Sequence, residues 1–364
     1  MNKILINALL VSEKSSGIGN YGYNLINSLD RLDLKYDISS LVQKKIESNN
    51  IDIQIKQCSN RYHRILYEQI PLRRNYKNYD LIHFIDYSSP IIAINTPFIV
   101  TIHDLSFYKY PETFNYGSRR IKQILAPISI KRSNKVIADS KNTKKEILSR
   151  FNINESKVKV IYPGSPSYNK IEDIRKLEAV KRKYGINQDY ILYVGTIEPR
   201  KNLLRLLEAY HNLLKQGIKE KLVIVGKKGW LYEDIFKKVE ELGLDKQVLF
   251  LGYLPEKEKV ALYSGAKVFV YPSLYEGFGL PPLEAMSCGT PVVVSNSSSL
   301  PEVVGDSGIY VDPKRADSIA QGIYDLLDQK KLREKLSLLG VKRSKKFTWE
   351  KSIKNILEVY DKIL

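Results

Sequence analysis

The sequence predicts an α/β protein with two doubly wound, Rossmann-like domains, each built on a parallel sheet. Three observations lead to this fold class. The 364 residues are enough for two domains of average size. Short runs rich in Ile, Val and Leu alternate with longer segments of helical periodicity. The alternation starts again after a turn-rich, charged stretch near the middle of the chain.

The first half contains apolar runs that are typical of strands buried on both faces of a parallel sheet. They lie at 3–10, 37–42, 51–56, 80–84, 97–102, 135–138 and 157–161. The first run lacks a small-residue cleavage site and is followed at once by Glu13 and Lys14, so we interpret it as a strand, not a signal peptide. Helices are predicted at 19–29, 118–132 and 142–150, with Thr143 and Glu146 as a capping box for the last.

Residues 163–189 interrupt the alternation, because the turn sequence Pro163-Gly164-Ser165-Pro166 is followed by a charged stretch. We place the domain boundary there, with residues 1–165 in the first domain and 166–345 in the second. Strands are then predicted at 190–194, 221–225, 248–251, 267–271 and 291–295. Helices are predicted at 202–214, 232–242, 255–264 and, as an amphipathic tail, 349–364.

Composition narrows the function classes. The formal net charge is +18 and 43% of the residues are apolar, which excludes a wholly disordered chain. Two cysteines exclude a disulfide scaffold and a cysteine-based zinc site, and they fit a cytoplasmic protein. No apolar run approaches the roughly 20 residues of a membrane helix. The basic surface favours solubility, an anionic membrane or phosphorylated substrates, whereas no dense basic block or zinc-finger signature points to nucleic acid.

The densest cluster of chemically useful residues follows the strand predicted at 267–271 and runs into a helix. Ligands of open α/β sheets bind at such carboxyl ends of strands. Gly277 and Gly279 allow the backbone to approach a ligand, and the helix start offers N–H groups to a phosphate. Glu276 and Glu284 would accept hydrogen bonds from a polyhydroxy ligand. The plain alternative is a proline-capped helix with a solvated Glu276.

Arg200 and Lys201 follow the strand predicted at 190–194 and precede a helix. Two cations are unfavourable beside the positive end of a helix dipole unless an anion neutralises them. The pattern therefore predicts a bound phosphate, and a surface turn is the alternative.

Three weaker signals lie in the first half. Gly17, Gly19 and Gly22 match the spacing of the dinucleotide-binding fingerprint, but no acidic residue ends the second strand, so a plain strand-to-helix turn stays open. His103 and the adjacent Asp104 follow one strand, and His83 lies at the end of a neighbouring one. A lone histidine at a strand end is commonly structural, so a structural role and a functional role both stay open for His103 and for His83.

Residues 272–295, with Glu276 and Glu284 in a Glu-x7-Glu pattern, resemble the signature of retaining GT-B glycosyltransferases, in particular the large family 4. The resemblance follows the order of motifs along essentially the whole chain. It implies a GT-B fold, with two domains facing a cleft and residues 346–364 packing back on the first. It also implies that Glu276 contacts the donor sugar, Glu284 the nucleotide ribose, and Arg200 and Lys201 the donor diphosphate.

The same resemblance implies a wider site. The histidine of a similar His-Asp step lies beside the donor sugar, which assigns His103 to sugar contact. From their positions beside it and at a neighbouring strand end, we expect Asp104 to orient His103, and we expect His83 and Asp104 to lie on the acceptor side. The remaining residues implied in donor binding are Gly17, Gly19, Gly277, Phe278, Gly279 and Leu280. One departure is Tyr162-Pro163-Gly164-Ser165, where many members carry Asn-Gly-Val-Asp.

The resemblance implies a retaining hexosyltransferase that uses a nucleoside diphosphate sugar, GDP-mannose first, and extends a surface polysaccharide such as O-antigen or capsule. The acceptor would be a saccharide or a lipid-linked saccharide, met at the cytoplasmic face of an anionic membrane. No Asp-x-Asp occurs, so neither a metal nor another cofactor is expected. Alternatives are rhamnosyl or other hexosyl transfer from a dTDP- or UDP-sugar, a sugar-nucleotide epimerase, and a non-catalytic protein that binds saccharide or nucleic acid.

Overall fold

A computed structural model describes residues 1–12, 17–165 and 168–364. These residues form two compact units. The first consists of Met1–Lys109, Tyr116–Gly164 and Thr348–Leu364, and the second of Tyr110–Asn115 and Ser165–Phe347. Pro166, the last residue of the predicted boundary turn, lies outside the described residues.

The first unit is built on a seven-stranded sheet whose described pairings are all parallel, in the order β3-β2-β1-β4-β5-β6-β7. The strands are β1 (Asn2–Asn7), β2 (Tyr36–Val42), β3 (Asp52–Ile55), β4 (Leu81–Phe84), β5 (Phe98–Ile102), β6 (Lys135–Ala138) and β7 (Val158–Val160). Its helices are α1 (Ile18–Asp30), α2 (Arg61–Gln69), α3 (Ser106–Lys109), α4 (Tyr116–Arg132) and α5 (Lys141–Arg150). Single 3₁₀ segments cover Leu72–Asn78 and Glu155–Lys157.

Each of the seven predicted strands is present, but two local predictions need correction. The strand predicted at 3–10 ends at Asn7, because the Asn7 side chain accepts a hydrogen bond from the N–H of Leu9 (3.4 Å) and starts a turn. The capping box at Thr143 and Glu146 is wrong. Ser140 caps α5 instead, since its hydroxyl accepts from the N–H of Thr143 (3.0 Å) and the helix begins earlier.

The second unit contains a six-stranded sheet in the order β10-β9-β8-β11-β12-β13, again with parallel pairings. The strands are β8 (Tyr190–Val194), β9 (Lys221–Val225), β10 (Val248–Gly252), β11 (Val268–Tyr271), β12 (Val292–Ser295) and β13 (Gly308–Val311). Its helices are α6 (Ile174–Lys183), α7 (Leu203–Lys215), α8 (Glu233–Glu241), α9 (Glu256–Gly265), α10 (Leu280–Ser287), α11 (Leu300–Val304), α12 (Ala316–Asp328) and α13 (Lys330–Ser344). β13 was not predicted from the sequence, because it is a short edge strand with only one buried residue.

The two sheets confirm the predicted α/β class and place the ligand-binding positions. Each sheet reverses its strand order beside its first strand, between β1 and β4 and between β8 and β11. Ligands of doubly wound sheets bind outside the carboxyl ends of the strands at such a reversal. The loops after these strands are therefore where the chemistry is expected.

The final helix, α14 (Trp349–Asp361), packs in the first unit. Its apolar face joins the core formed by β1 and α1, where Ile353, Ile356 and Tyr360 are almost fully buried. Thr348 caps the helix by accepting a hydrogen bond from the N–H of Lys351. Within the described residues, none of the helices has both the length and the apolar character needed to cross a membrane.

We expect Gly164→Ala to destabilise the first unit. A Cβ at Gly164 would overlap with the backbone nitrogen and the indole of Trp349 at the start of α14. Overpacking of this kind costs about 1–3 kcal/mol in the free energy of unfolding. Chemical denaturation measures the change.

The matched control is Gly117→Ala in α4, where the nearest atom to a Cβ is the Tyr62 hydroxyl at 3.5 Å. It should leave the free energy of unfolding unchanged or raise it by up to about 1 kcal/mol. Equal stability of both variants would contradict the close packing at Gly164.

Candidate functional site

Two loops of the second unit meet at its strand-order reversal. One follows β8 and the other follows β11, and these two strands are paired in the sheet. The N–H of Leu274 donates to the carbonyl oxygen of Arg200 (3.0 Å), and the side-chain amide of Asn202 donates to the carbonyl oxygen of Pro272 (3.0 Å). The motifs that the sequence singled out separately thus lie side by side.

Four charged side chains of these loops form one buried network. The Lys201 Nζ donates to Glu276 Oε1 (2.6 Å), and the Arg200 Nη1 donates to Glu276 Oε2 (3.3 Å). The Arg200 Nη2 donates to Glu198 Oε1 (2.7 Å). Glu198 is 2% exposed, Glu276 7% and Lys201 8%. Two cations and two carboxylates leave the network formally neutral.

This network removes the reason for which the sequence predicted a phosphate at Arg200 and Lys201, namely two cations without a neutralising anion. The positive charges of Arg200 and Lys201 do not need an external anion, because Glu276 and Glu198 already neutralise them. Glu198 was not predicted as a site residue from the sequence. Its signal was its position between the strand end and the two cations.

The charges in the network are mutually stabilised. Burial acts to raise the pKa of Glu276, but Lys201 and Arg200 outweigh it and hold that pKa below its ordinary value. Burial lowers the pKa of Lys201, and Glu276 acts in the opposite direction. The Lys201 ammonium also donates to the hydroxyl of Tyr271 (2.7 Å). Glu276 is therefore ionised at neutral pH.

The glycine-rich loop before α10 is held by two serines that the sequence analysis missed. The hydroxyl of Ser299 donates to the carbonyl oxygens of Glu276 (3.0 Å) and Phe278 (2.6 Å). The N–H of Glu276 donates to the hydroxyl of Ser298 (2.9 Å). Gly279, the N-cap of α10, has a φ of 115°, a backbone conformation that glycine adopts without strain.

The other residues predicted around this loop occupy three different environments. Gly277 is buried, and Phe278 packs against Phe347 with ring centroids 5.5 Å apart. Leu280 is the first residue of α10. Glu284 lies one turn into that helix, where its Oε2 accepts from the hydroxyl of Tyr263 (2.8 Å).

Glu284 differs from Glu276 in its charge environment. Burial raises the pKa of the Glu284 carboxyl, and Lys259 opposes that shift without removing it. The two glutamates of the Glu-x7-Glu pattern therefore present one strongly ionised carboxylate and one that accepts a proton more readily.

In the first unit, the ring of His103 lies at the carboxyl end of β5. Its Nδ1 is 2.6 Å from Asp139 Oδ2, and its Nε2 is 2.7 Å from the carbonyl oxygen of Ile85. Both partners are acceptors, so each ring nitrogen must carry a proton. Burial acts to lower the pKa of His103, but Asp139 outweighs it and the pKa is raised. The geometry describes an imidazolium ion.

Asp139, and not Asp104, orients the ring of His103. The Oδ1 of Asp104 instead accepts from the N–H of Ser106 (2.9 Å) and from its hydroxyl (2.5 Å) at the start of α3. Asp139 follows β6 directly, so its position at a strand end was the signal that the sequence offered. The role of Asp104 on the acceptor side stays a prediction.

His83 lies in the interior of the first unit and is fully buried. Its Nδ1 is 2.8 Å from the hydroxyl of Tyr360, and its Nε2 is 2.8 Å from the hydroxyl of Thr101. Burial lowers the pKa of His83 to about 3, so the ring is neutral. These contacts tie α14 to β4 and β5, as a structural histidine would. Contact with an acceptor stays a prediction.

The glycines after β1 begin α1. Gly17 is its N-cap with a φ of 52°, and Gly19 is buried in the first turn. Ser16 of the same loop lies outside the described residues. The predicted position of Gly17 and Gly19 over the donor phosphates stays a prediction.

A second buried charge cluster at the ends of β1 and β4 was not predicted. Arg64 of α2 donates to Glu68 (3.3 Å) and lies 3.7 Å from Asp86. The side-chain amide of Asn7 also donates to Glu68 (3.2 Å). Burial raises the pKa of Glu68 to about 8, although Arg64 opposes the shift. Asn7 ends β1 and Asp86 follows β4, whereas nothing in the sequence marks the two residues of α2.

Among the residues that the structure describes, no group of three or more His, Cys, Asp or Glu side chains is arranged to hold a metal ion. Positive charge in the second-unit site comes from Arg200 and Lys201.

Comparison with known proteins gives consistent matches in both units. Residues 176–343 match the family described as glycosyl transferases group 1, and residues 15–165 match glycosyltransferase family 4. The chain is 35% identical over 264 residues to the O-antigen chain mannosyltransferase B of Escherichia coli, which covers 72% of this chain and 69% of that protein. It is 33% identical over 218 residues to the O-antigen chain mannosyltransferase RfbU of Salmonella typhimurium, covering 59% and 56%.

Among solved structures, sucrose-phosphate synthase from Thermosynechococcus elongatus has the same fold. The TM-score is 0.84, with 20% sequence identity, over 100% of this chain and 99% of that one.

We expect Asp139→Asn to lower the pKa of His103 below its ordinary value, because burial then acts without an opposing carboxylate. In the unchanged protein, the raised pKa means that the pair adds stability below the ordinary histidine pKa. That stability is lost as the pH rises through the raised value. Proton NMR titration of the histidine ring signals measures the shift.

Asp104→Asn is the matched control, because the Asp104 carboxylate caps α3. The His103 titration should be unchanged in that variant. A His103 pKa that stays raised in Asp139→Asn would contradict the imidazolium assignment.

Proposed function

This chain belongs to the glycosyl transferases group 1 family and is a glycosyltransferase, and we propose that it transfers a mannosyl residue from a nucleoside diphosphate sugar to a saccharide acceptor. The observation that carries the proposal is the buried network of Glu198, Arg200, Lys201 and Glu276 at the strand-order reversal of the second unit. It provides two cations for a diphosphate beside one ionised carboxylate for sugar hydroxyls.

In the proposed donor-binding step, Glu276 and the donor diphosphate compete for the same two cations. Glu276 occupies the donor groups of Lys201 and Arg200 that a diphosphate needs. An entering diphosphate carries more negative charge than one carboxylate, so it takes over the two cations and releases Glu276 toward the sugar. Glu198 keeps its contact with Arg200 and holds the guanidinium in place.

Catalysis is then electrostatic. Negative charge grows on the diphosphate as the bond to the sugar breaks, and Arg200 and Lys201 stabilise it in a buried site. Removing one well-placed donor in comparable sites costs about 2.7–4 kcal/mol of transition-state stabilisation. In the proposed reaction, these two cations supply the positive charge that a metal ion supplies in other transferases. The proposed reaction therefore requires no metal, and we expect the activity to persist when a chelator is added.

The stereochemistry follows from the family resemblance. The acceptor hydroxyl attacks the face of the anomeric carbon from which the diphosphate leaves, and the leaving phosphate takes the proton. Configuration at that carbon is retained. His103 does not fit the role of a base, since an imidazolium has no free acceptor nitrogen and both of its N–H groups already have acceptors. The contact of His103 with the donor sugar stays a prediction from the family resemblance.

The sugar and the acceptor rest on the relatives. Proteins from Escherichia coli and Salmonella typhimurium with 33–35% identity are named O-antigen chain mannosyltransferases. Their names support mannose as the sugar and a growing surface polysaccharide as the product, and GDP-mannose is the donor that we propose. A rhamnosyl or other hexosyl donor with dTDP or UDP is the alternative. We further propose a lipid-linked acceptor at the cytoplasmic face of the membrane, which the net charge of +18 supports.

We expect GDP to raise the melting temperature in a thermal-shift panel of GDP, UDP, dTDP and ADP. A ligand at about 100 times its dissociation constant adds about 2.7 kcal/mol of apparent stability. A shift with UDP or dTDP alone would contradict GDP-mannose as the donor and would favour another hexose linked to that nucleotide. No shift with any of the four would contradict the donor site.

We expect Glu276→Gln to uncouple binding from transfer. The amide cannot compete for Lys201 and Arg200 as an anion, so GDP should bind more tightly than to the unchanged enzyme. Transfer from GDP-mannose should fall about a hundredfold or more, because the ionised sugar contact is lost.

The control is Glu334→Gln, an exposed carboxylate on α13 whose removal should change neither quantity. Weaker GDP binding by Glu276→Gln would contradict the proposed competition between Glu276 and the diphosphate. Unchanged transfer would remove Glu276 from the reaction.

A further inference from the structure

The first unit carries a continuous face made of α2, the 3₁₀ segment Leu72–Asn78, the loop 89–93 and α4. The starts of the two helices adjoin, because a Cβ at Gly117 of α4 would lie 3.5 Å from the hydroxyl of Tyr62 in α2. The end of α2 contacts the loop, since the Gln69 side chain accepts from the N–H of Ile91 (2.7 Å). Arg132 at the end of α4 donates to the carbonyl oxygen of the same Ile91. Arg73 of the 3₁₀ segment donates to the carbonyl oxygen of Ala93 in the loop (3.2 Å). We name these four segments the basic apolar face.

Large apolar side chains on this face are exposed. On α2, Tyr62, Leu66 and Ile70 recur every four residues, so they lie on one side of the helix and of its C-cap. Their exposed fractions are 66%, 57% and 54%. The loop and α4 add Ile91, Ile92, Tyr116 and Ile124, each between 44% and 68% exposed. Clustered exposed apolar residues mark interaction surfaces, whereas single ones need no explanation.

The charge of the same face has one sign. Residues 61–78 and 116–132 contain ten Lys or Arg residues and one acidic residue, Glu68. Glu68 and Arg64 are both buried and contact each other, so neither belongs to the exposed charge of the face. The other nine charged residues of these two segments are all Lys or Arg, and the loop 89–93 has no charged residue. A partner of this face must be both apolar and anionic.

We infer that the basic apolar face docks on a bilayer that is rich in anionic lipid. Apolar side chains at the centre enter the boundary between headgroups and acyl chains, and the surrounding cations meet lipid phosphates. Tyr62 and Tyr116 suit that boundary, because a tyrosine has an apolar ring and a polar tip. Two guanidinium groups, those of Arg119 and Arg120, lie 5.4 and 5.8 Å from the centre of the Tyr116 ring.

A second copy of this chain fits the face less well, since a symmetric contact would place the same cations against each other. The inference deepens the proposed lipid-linked acceptor and rests on that proposal only for its biological purpose. The surface itself is defined by the geometry and charge of the first unit, whereas the donor site lies in the second.

Sedimentation with vesicles tests the docking surface. The full chain is mixed with phosphatidylglycerol–phosphatidylcholine vesicles or with phosphatidylcholine vesicles at an ionic strength of about 0.05 M, where screening is weak. We expect binding to the anionic vesicles only, with loss of binding as salt is added.

Two double variants probe the two components of the face. Leu66→Ser with Ile124→Ser removes apolar contact, and Arg74→Glu with Arg120→Glu reverses two charges. Since one cation near an anionic surface contributes a factor of about five, the charge variant should bind about 25-fold more weakly or worse. All four positions are exposed, so the fold is retained, which melting curves and the GDP thermal shift verify.

Matched controls use exposed residues of the second unit. Ile174→Ser with Leu338→Ser controls for apolar loss, and Arg175→Glu with Lys237→Glu controls for charge reversal. Both should sediment like the unchanged protein.

Three outcomes would overturn the inference: no sedimentation of the unchanged chain with anionic vesicles, equal sedimentation of the face variants, or a dimer that only the face variants abolish. Failure of vesicle binding with an intact GDP shift removes the docking surface alone, whereas loss of the GDP shift in the unchanged chain removes the donor site.

Discussion

The compensation of one buried carboxylate is the constraint on which the candidate donor site depends. Glu276 is almost fully enclosed, and an enclosed charge is tolerated only when it is paired and hydrogen-bonded. Lys201 and Arg200 supply that pairing from the loop after β8, while Glu276 lies after β11. The ion pairs therefore hold two loops together, and Ser298 fixes the backbone at Glu276 from a third.

The same requirement shapes the first unit. His103 keeps its positive charge in the interior because Asp139 faces one ring nitrogen and a carbonyl oxygen faces the other. Arg64 and Glu68 form a further buried pair at the ends of β1 and β4. Each cluster lies where parallel strands end, since only there do polar side chains from several loops converge beside an apolar sheet. His83, one strand away, is neutral and serves packing.

The two units also differ in how their charges are arranged. Charge in the second unit is internally balanced, which suits a site that binds and releases an anionic nucleotide at every turnover. The basic apolar face carries an excess of Lys and Arg, which suits lasting contact with an anionic surface. A lipid-linked acceptor and a nucleotide-linked donor would make these two demands on one chain.

The sequence by itself determined the two parallel sheets and the loops in which the chemistry lies, because strand periodicity and strand ends are local properties. It also brought out Glu276, Glu284, Arg200 and Lys201, through their positions at strand ends and through the resemblance to a known family. Only the tertiary structure decided the partners. Glu276 neutralises Lys201, and Asp139 rather than Asp104 faces His103. These pairs join residues 36 to 75 positions apart, and spacing along the chain carries no information on which charges meet when neighbouring strands end side by side.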